Sequence, residues 1–261
     1  MDLRSVFSLK KYRREPLPEG IFEGTVDVHS HLLPGVDDGF QTAEDTIEAL
    51  HTWAAAGVRG VIFTPHFMEG YKANRRSAIE QRFNAFQQQV NSYVSSLSLG
   101  EAGKGLPTCY LAAEYMVDDG FESHAADGYL SLGHDSGWVL TETSYVDIHP
   151  SHTQLLYDMS LAGYQPVIAH PERYQYASDR RYESWKRKGY KFQLNLLSLS
   201  GAYGDAAKEK AEWMLADGMY DYVGSDVHNL RNFLSWLPKI MLTPRQTDDL
   251  RLLLENNTSL L

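Results

Sequence analysis

Apolar residues along this chain keep to two spacings that take turns. Short runs rich in β-branched and aromatic residues read as strands at Thr25 to His29, Val58 to Thr64, Thr108 to Glu114, Trp138 to Glu142, Pro166 to His170, Lys191 to Asn195 and Tyr220 to Ser225. Between them, apolar positions recur every three to four residues. This predicts helices over Thr42 to Ala56, Ser151 to Ala162 and Asp205 to Ala216, and a longer one carrying Ile79, Phe83, Phe86, Val90 and Val94. Thr42 with Asp45 resembles a capping box, and Gly57 is a stop signal. Repeated βα alternation without a long linker predicts an α/β fold with a parallel sheet. Seven such strands closed by helices suggest a barrel, and an open doubly wound sheet satisfies the same alternation.

Residues 1–24 stand apart. Lys10, Lys11, Arg13 and Arg14 are followed by Pro16 and Pro18 with no apolar face beside them, so this segment reads as a solvated arm before a domain over 25–261. With 43% hydrophobic residues in 261, the chain can bury a sizeable core. Its 34 acidic against 24 basic side chains leave a net charge of −10, which disfavours a nucleic-acid partner. Cys109, the single cysteine, has no partner for an internal disulfide. No run is apolar enough for an integral membrane segment and none resembles a signal peptide, so a cytoplasmic protein is expected.

The strand map gives the unusual polar residues a common address. His29, His66, Glu114, Glu142, His170 and Asp226 each fall at or just past the C-terminal end of a predicted strand. In α/β folds that edge carries the active-site loops, so residues far apart in sequence would meet at one mouth. Imidazoles mixed with carboxylates suit Mn²⁺, Fe²⁺ or Zn²⁺ in an open site, and the lack of cysteines rules out a structural thiolate site. His29 with His31, and Asp226 with His228, put two donors one residue apart, where strand alternation breaks. The remaining histidines, His51, His124, His134, His149 and His152, lack such partners and are read as surface or capping residues. Of these, His149 and His152 are the ones placed to approach the mouth.

These segments are similar to the PHP family, named for polymerase and histidinol phosphatase, and more narrowly to bacterial tyrosine-protein phosphatases of capsular polysaccharide loci. The resemblance runs through DVHSHLLPGVDDG at Asp27 to Gly39, TPH at Thr64 to His66, AAEY around Glu114, TET around Glu142, AHPERY through His170 to Tyr174 and GSDVHN at Gly224 to Asn229. It implies a distorted seven-stranded βα barrel and three divalent ions, usually manganese. It also implies phosphotyrosine as substrate, often on a tyrosine autokinase that controls polysaccharide export. Carried over residue by residue, His29, His31, Glu114 and Asp226 would hold one ion. Glu114, Glu142 and His170 would hold a second, and Asp38, His66 and His228 a third. Arg173 would contact phosphate. A further arginine expected after the last motif has only Arg231 as a candidate, at a shifted spacing.

The mechanism so implied is attack by hydroxide activated between two ions, with Asp38 or His66 available to protonate the leaving phenolate. Cys109 is followed six residues on by Tyr115 rather than an arginine, so a cysteine-nucleophile route is excluded. Tyr71, Tyr115, Tyr145, Tyr174 and Tyr203 are candidates to grip a phenyl ring. Two rival readings are a PHP-type esterase for histidinol phosphate or a nucleotide, and a non-catalytic metal-binding module.

Overall fold

A computed structural model of the chain describes residues 13–96, 105–133 and 136–261. In chain order the strands are β1 (Glu15–Pro16), β2 (Val26–Ser30), β3 (Gly60–Phe63), β4 (His66–Phe67), β5 (Thr108–Leu111), β6 (Glu114–Met116), β7 (Trp138–Glu142), β8 (Gln165–Ala169), β9 (Lys191–Asn195), β10 (Tyr222–Gly224) and β11 (Met241–Leu242). The helices are α1 (Ala43–Ala55), α2 (Arg76–Ser96), α3 (Phe121–Ala125), α4 (His152–Leu161), α5 (Asp179–Arg187), α6 (Asp205–Ala216), α7 (Leu230–Trp236) and α8 (Pro244–Asn257).

All pairings among β2 to β10 are parallel. One sheet runs β2-β3-β5 and the other β10-β9-β8-β7-β6-β4. A parallel bridge between Ser30 and Val227 joins β2 to the end of β10. Because β3 leads into β4 and β5 into β6, the segments follow one another around a closed circuit, as the barrel reading expects. The expected strand Thr108 to Glu114 is instead two strands, and its neighbour breaks at the same level. Pro65 has no N–H to give to a ladder, so β3 stops at Phe63 and pairing resumes at His66. Ala112 N–H donates to Phe63 O at 2.8 Å and Glu114 N–H to Pro65 O at 3.1 Å, which carries the partner strand across the gap.

The strands are buried on both faces, with Val28, Val61, Ile62, Val139, Val167 and Leu194 fully enclosed, as a parallel sheet under helices requires. Helix α1 starts where expected: the Thr42 hydroxyl accepts from Asp45 N–H at 3.1 Å, and Gly57 after its end takes a left-handed φ of 88°. Helices α3, α5, α7 and α8 lie outside the predicted ones. The last was nevertheless readable, since Thr243 and Gln246 form a reciprocal capping box around Pro244.

Of the segment 1–24, the described part is tied to the far end of the chain. β1 pairs antiparallel with β11, and Arg14 donates to Glu212 at 2.6 Å and to Met241 O at 3.1 Å. Lys10 and Lys11 lie outside the described residues.

Candidate metal centre

The C-terminal ends of the parallel strands are stitched together before any side chain is considered. Asp226 N–H donates to His29 O at 2.8 Å, and His31 N–H donates to Val227 O at 3.1 Å. This close approach explains Gly224, where an added Cβ would lie 2.5 Å from the Cβ of His29. Among the described residues, two other than glycine have positive φ: His170 at 32° and Asp226 at 50°. Each costs conformational energy that the surrounding packing must overcome, and such strain concentrates at functional sites.

Every residue of the three implied ligand sets reaches one mouth. His29 Nε2 lies 3.2 Å from His31 Nε2, 3.3 Å from Glu114 Oε2 and 3.4 Å from Asp226 Oδ1, and His31 Nε2 repeats the last two distances. His170 Nε2 is 3.0 Å from Glu114 Oε1 and 3.8 Å from Glu142 Oε2. Asp38 Oδ1 lies 3.5 Å from both His66 Nε2 and His228 Nε2. The other nitrogen of His66 faces the middle set, with Nδ1 3.1 Å from Glu142 and 3.2 Å from Glu114. His66 therefore stands between two groups, where the sequence pattern placed it in one. Four overlapping groups bring donor atoms within 4.8 Å of each other: His29, His31 and Glu114; His29, His170 and Asp226; His66, Glu114 and Glu142; and His31, Asp38, His66 and His228. Donors about 2.1 Å from an octahedral ion sit about 3.0 Å apart at right angles, close to these separations.

A layer of polar residues behind the donors sets their orientation. Asp37 holds His31 Nδ1 at 2.9 Å and accepts from His66 N–H at 3.0 Å and Gly39 N–H at 3.0 Å. Gln193 Oε1 lies 2.8 Å from His29 Nδ1. Asn195 Nδ2 donates to Asp226 Oδ2 at 2.7 Å, and Arg173 Nη1 to the same oxygen at 3.0 Å. Asp37, Gln193 and Asn195 were missed from sequence. For the last two the signal was present, because polar residues at alternate positions near the end of the buried β9 share one face.

The electrostatics ask for cations. Burial alone lowers imidazole pKa values, yet Glu114 and Asp226 outweigh it at His29, and Asp37, Asp226 and Glu114 hold His31 well above the ordinary value. His66 is pulled up to about 10 against both burial and His31, by Glu114 and Glu142. Glu114 and Asp226 are held well below the carboxylate range, His29 and the neighbouring imidazoles reversing the effect of burial. Among the described residues, His66 Nδ1, Glu114 Oε2, Glu142 Oε1 and His170 Nδ1 are buried without a hydrogen-bond partner. Unpaired buried polar atoms are costly, and divalent ions would satisfy donors and charge together while displacing the imidazole protons. The residues present therefore fit metal ions.

The mouth opens into a pocket of about 380 Å³ lined by Asp38, His66, Glu114, Tyr145, His170, Arg173, Tyr203, Asp226, His228, Asn229 and Asn232, with Leu197, Val227 and Phe233 as its apolar wall. Arg231 does not line it. That residue faces a groove of about 740 Å³ of mixed polar and apolar lining beside Asp45 and Glu48, which shares His228 and Asn229 with the pocket.

The tyrosines divide. Tyr115 and Tyr174 are fully buried core residues, the first accepting from Leu130 N–H and the second donating to Ala169 O, so neither can grip a substrate. Tyr71 stacks on His66 with ring centroids 6.0 Å apart. The rings of Tyr145 and Tyr203 are 4.3 and 4.1 Å from the Arg173 guanidinium carbon.

Of the remaining histidines, His51 bonds Tyr93 and His149 bonds Asp119, both away from the pocket. His124 and His152 are buried against aromatic rings rather than on the surface, because their elements pack those faces inward. His134 lies outside the described residues. The Cys109 thiol is pushed up to about 12 by burial and sits on β5, which leaves it no nucleophilic role.

Comparison with known proteins agrees with this geometry. The chain is 28% identical to the tyrosine-protein phosphatase YwqE of Bacillus subtilis (strain 168) over 240 residues, 90% of this chain and 91% of that protein. It is 29% identical over 216 residues to the tyrosine-protein phosphatase CpsB of Streptococcus pneumoniae, 78% of this chain and 83% of the relative. A solved chain among the structures of YwqE and CpsB, described as unique metal-dependent tyrosine phosphatases, superposes with a TM-score of 0.68 at 26% identity, covering 88% of this chain and 94% of that one. No described helix is long and apolar enough to cross a membrane. A family model for capsular polysaccharide synthesis proteins matches residues 25–241, and the chain belongs to that CpsB/CapC family.

Proposed function

We propose that this chain is a metal-dependent protein-tyrosine phosphatase that hydrolyses phosphotyrosine on a polypeptide. The observation that carries this reading is the convergence of nine imidazole and carboxylate side chains on one pocket mouth where, among the described residues, Arg173 is the one lysine or arginine in the lining. A phosphate dianion entering that pocket meets Asp38, Glu114 and Asp226, and bound cations would offset their charge while replacing the imidazole protons. The ligand sets we assign are His29, His31, Glu114 and Asp226; Glu114, Glu142 and His170; and Asp38, His66 and His228. Three divalent ions are proposed; the mixture of nitrogen and oxygen donors suits Mn²⁺, Fe²⁺ or Zn²⁺, and the family resemblance favours manganese among them. Bound there, the ions would lower the pKa of a coordinated water toward neutrality and draw off phosphate charge.

The chain's own residues do the rest. Arg173 supplies fixed N–H donors to the phosphoryl oxygens. Asp38 is held ionised, below the ordinary carboxylate range, chiefly by its hydrogen bond with His228, so it serves as a ligand and not as the acid. A phenolate leaves readily and asks little of a general acid. The groove lined by Arg231, Asp45, Phe40 and Leu230 adjoins the pocket at His228 and Asn229 and would take the polypeptide flanking the phosphotyrosine, which favours a protein over a small ester. Membership of a capsular polysaccharide synthesis family supports a partner in that machinery, and a tyrosine autokinase met in the cytoplasm is the partner we propose.

The test is direct. Protein stripped of metal and refilled with Mn²⁺ should release phosphate from a phosphotyrosyl peptide in preference to histidinol phosphate or a nucleotide. Faster turnover of a small ester would overturn the substrate assignment and leave the metal assignment standing.

A further inference from the structure

Arginine in an open pocket has many rotamers, and side-chain entropy is lost when it is fixed. In this pocket the cost is met before any ligand arrives. The Arg173 guanidinium carbon lies 4.3 Å from the ring centroid of Tyr145 and 4.1 Å from that of Tyr203. No ring contact joins the two tyrosines among the described residues, so the guanidinium separates them. With its central carbon over both rings, the guanidinium keeps for donation the N–H groups at its free edge. One edge N–H is spent on Asp226 Oδ2 at 3.0 Å, and the guanidinium has no second protein acceptor among the described residues.

Both rings are themselves held. Asn195 Nδ2 donates to the Tyr203 hydroxyl at 3.1 Å and to Asp226 Oδ2 at 2.7 Å, while Asn195 Oδ1 accepts from Leu197 N–H at 3.0 Å. Tyr145 is fixed through its backbone, with its carbonyl accepting from Gln175 N–H at 2.8 Å, and its ring lies 5.8 Å from that of His170. Two of the five tyrosines that the sequence offers as grips for a substrate ring thus each turn a ring face to an arginine.

We propose that Tyr145 and Tyr203 are positioning residues that clamp the Arg173 guanidinium so that its free edge meets the phosphoryl group preset, with Asn195 tying the clamp to Asp226. This rests on Arg173 as the phosphate contact under the proposed function. The clamp acts through ring faces, so the ring matters more than the hydroxyl.

The experiment uses the full chain loaded with Mn²⁺ and inorganic phosphate as the probe. Tyr145→Leu and Tyr203→Leu should each weaken phosphate binding about fivefold and raise KM for a phosphotyrosyl peptide, whereas Tyr203→Phe stays within about twofold. In the Arg173→Ala background the leucine substitutions should add almost nothing. Phosphate affinity unchanged by leucine, or losses that add in full on Arg173→Ala, would overturn the clamp. A second reading needs no turnover and uses the chain loaded with diamagnetic Zn²⁺, because paramagnetic Mn²⁺ would broaden resonances this close to it. The Arg173 Nε–H resonance, assigned by its loss in Arg173→Ala, should be sharp and slow to exchange in the wild type, persist in Tyr203→Phe and broaden in the leucine variants. A resonance indifferent to both rings also sinks the proposal. If the wild type shows the ring-dependent resonance but hydrolyses no phosphotyrosine, the proposed function fails and the clamp stands.

Discussion

Glu114 and Glu172 are both buried carboxylates at the same edge of the barrel, yet they live in opposite chemical worlds. Glu172 accepts from the Ser198 hydroxyl at 2.7 Å, the Tyr220 hydroxyl at 2.9 Å and Asn195 N–H at 3.0 Å, all neutral donors, and burial raises its pKa. Glu114 faces His29, His31, His66 and His170, keeps one oxygen without a hydrogen bond, and is held well below the ordinary carboxylate range although burial opposes this. Burial alone does not mark a functional acid. The distinction lies in whether its partners are neutral donors that satisfy it or ionisable ones that a cation could replace. Two buried imidazoles show the same split: burial pushes His152 down to about 4, while His66 rises to about 10 among carboxylates.

The largest expected break comes from Glu114→Ala. Phosphate release from a phosphotyrosyl peptide should fall more than about a thousandfold and ion content should drop, since several kcal/mol of charge stabilisation leave with the ions. Retained activity would place Glu114 in the same class as Glu172.

His152 gives the next largest effect. Its folded pKa lies below the ordinary histidine value, so the unfolded chain binds the extra proton. Stability is then fully present above pH 6.5 and is lost as pH falls toward 4, by about 3 kcal/mol. Unfolding midpoints of wild type and His152→Leu, compared at pH 7 and 4.5, should show the variant losing less. For His66 in ion-free protein the sign reverses: its contribution is present below pH 6.5 and is lost as pH rises through about 10.

Glu172→Ala should cost about 2 kcal/mol of stability by leaving its donors unsatisfied, with bound-ion stoichiometry unchanged, and Glu172→Gln should recover part of that. Loss of ions in Glu172→Gln would erase the contrast. The smallest effect is set by Asp37→Asn, which removes the carboxylate behind His31. Ion affinity measured by titration should fall about tenfold, with little change in the fold by circular dichroism.

The site was legible to the extent that its donors follow apolar strands. His29, Glu114, Glu142, His170 and Asp226 could be found because each ends or follows a run that reads as β structure, and the barrel brings such ends together. The second layer was harder to see. Asp37, Gln193 and Asn195 look like ordinary polar residues until the histidine or aspartate they orient is placed beside them. The tyrosines show the limit most clearly. Tyr115 follows Glu114 directly and points into the core, while Tyr203, 30 residues beyond Arg173 in the numbering, stacks on that arginine.

Sequence by itself determined the alternation of strands and helices and the address of the metal-type residues at strand ends, because periodicity and residue chemistry are local properties. Only the tertiary structure decided that His66 stands between two donor groups, that Glu172 is satisfied while Glu114 is not, that Arg231 faces a groove beside the pocket, and that Tyr145 and Tyr203 enclose Arg173. Each of these depends on which way a side chain points from a closed sheet and on what charge stands a few ångströms away. Contacts between residues dozens to hundreds of positions apart set both, and no local pattern contains them.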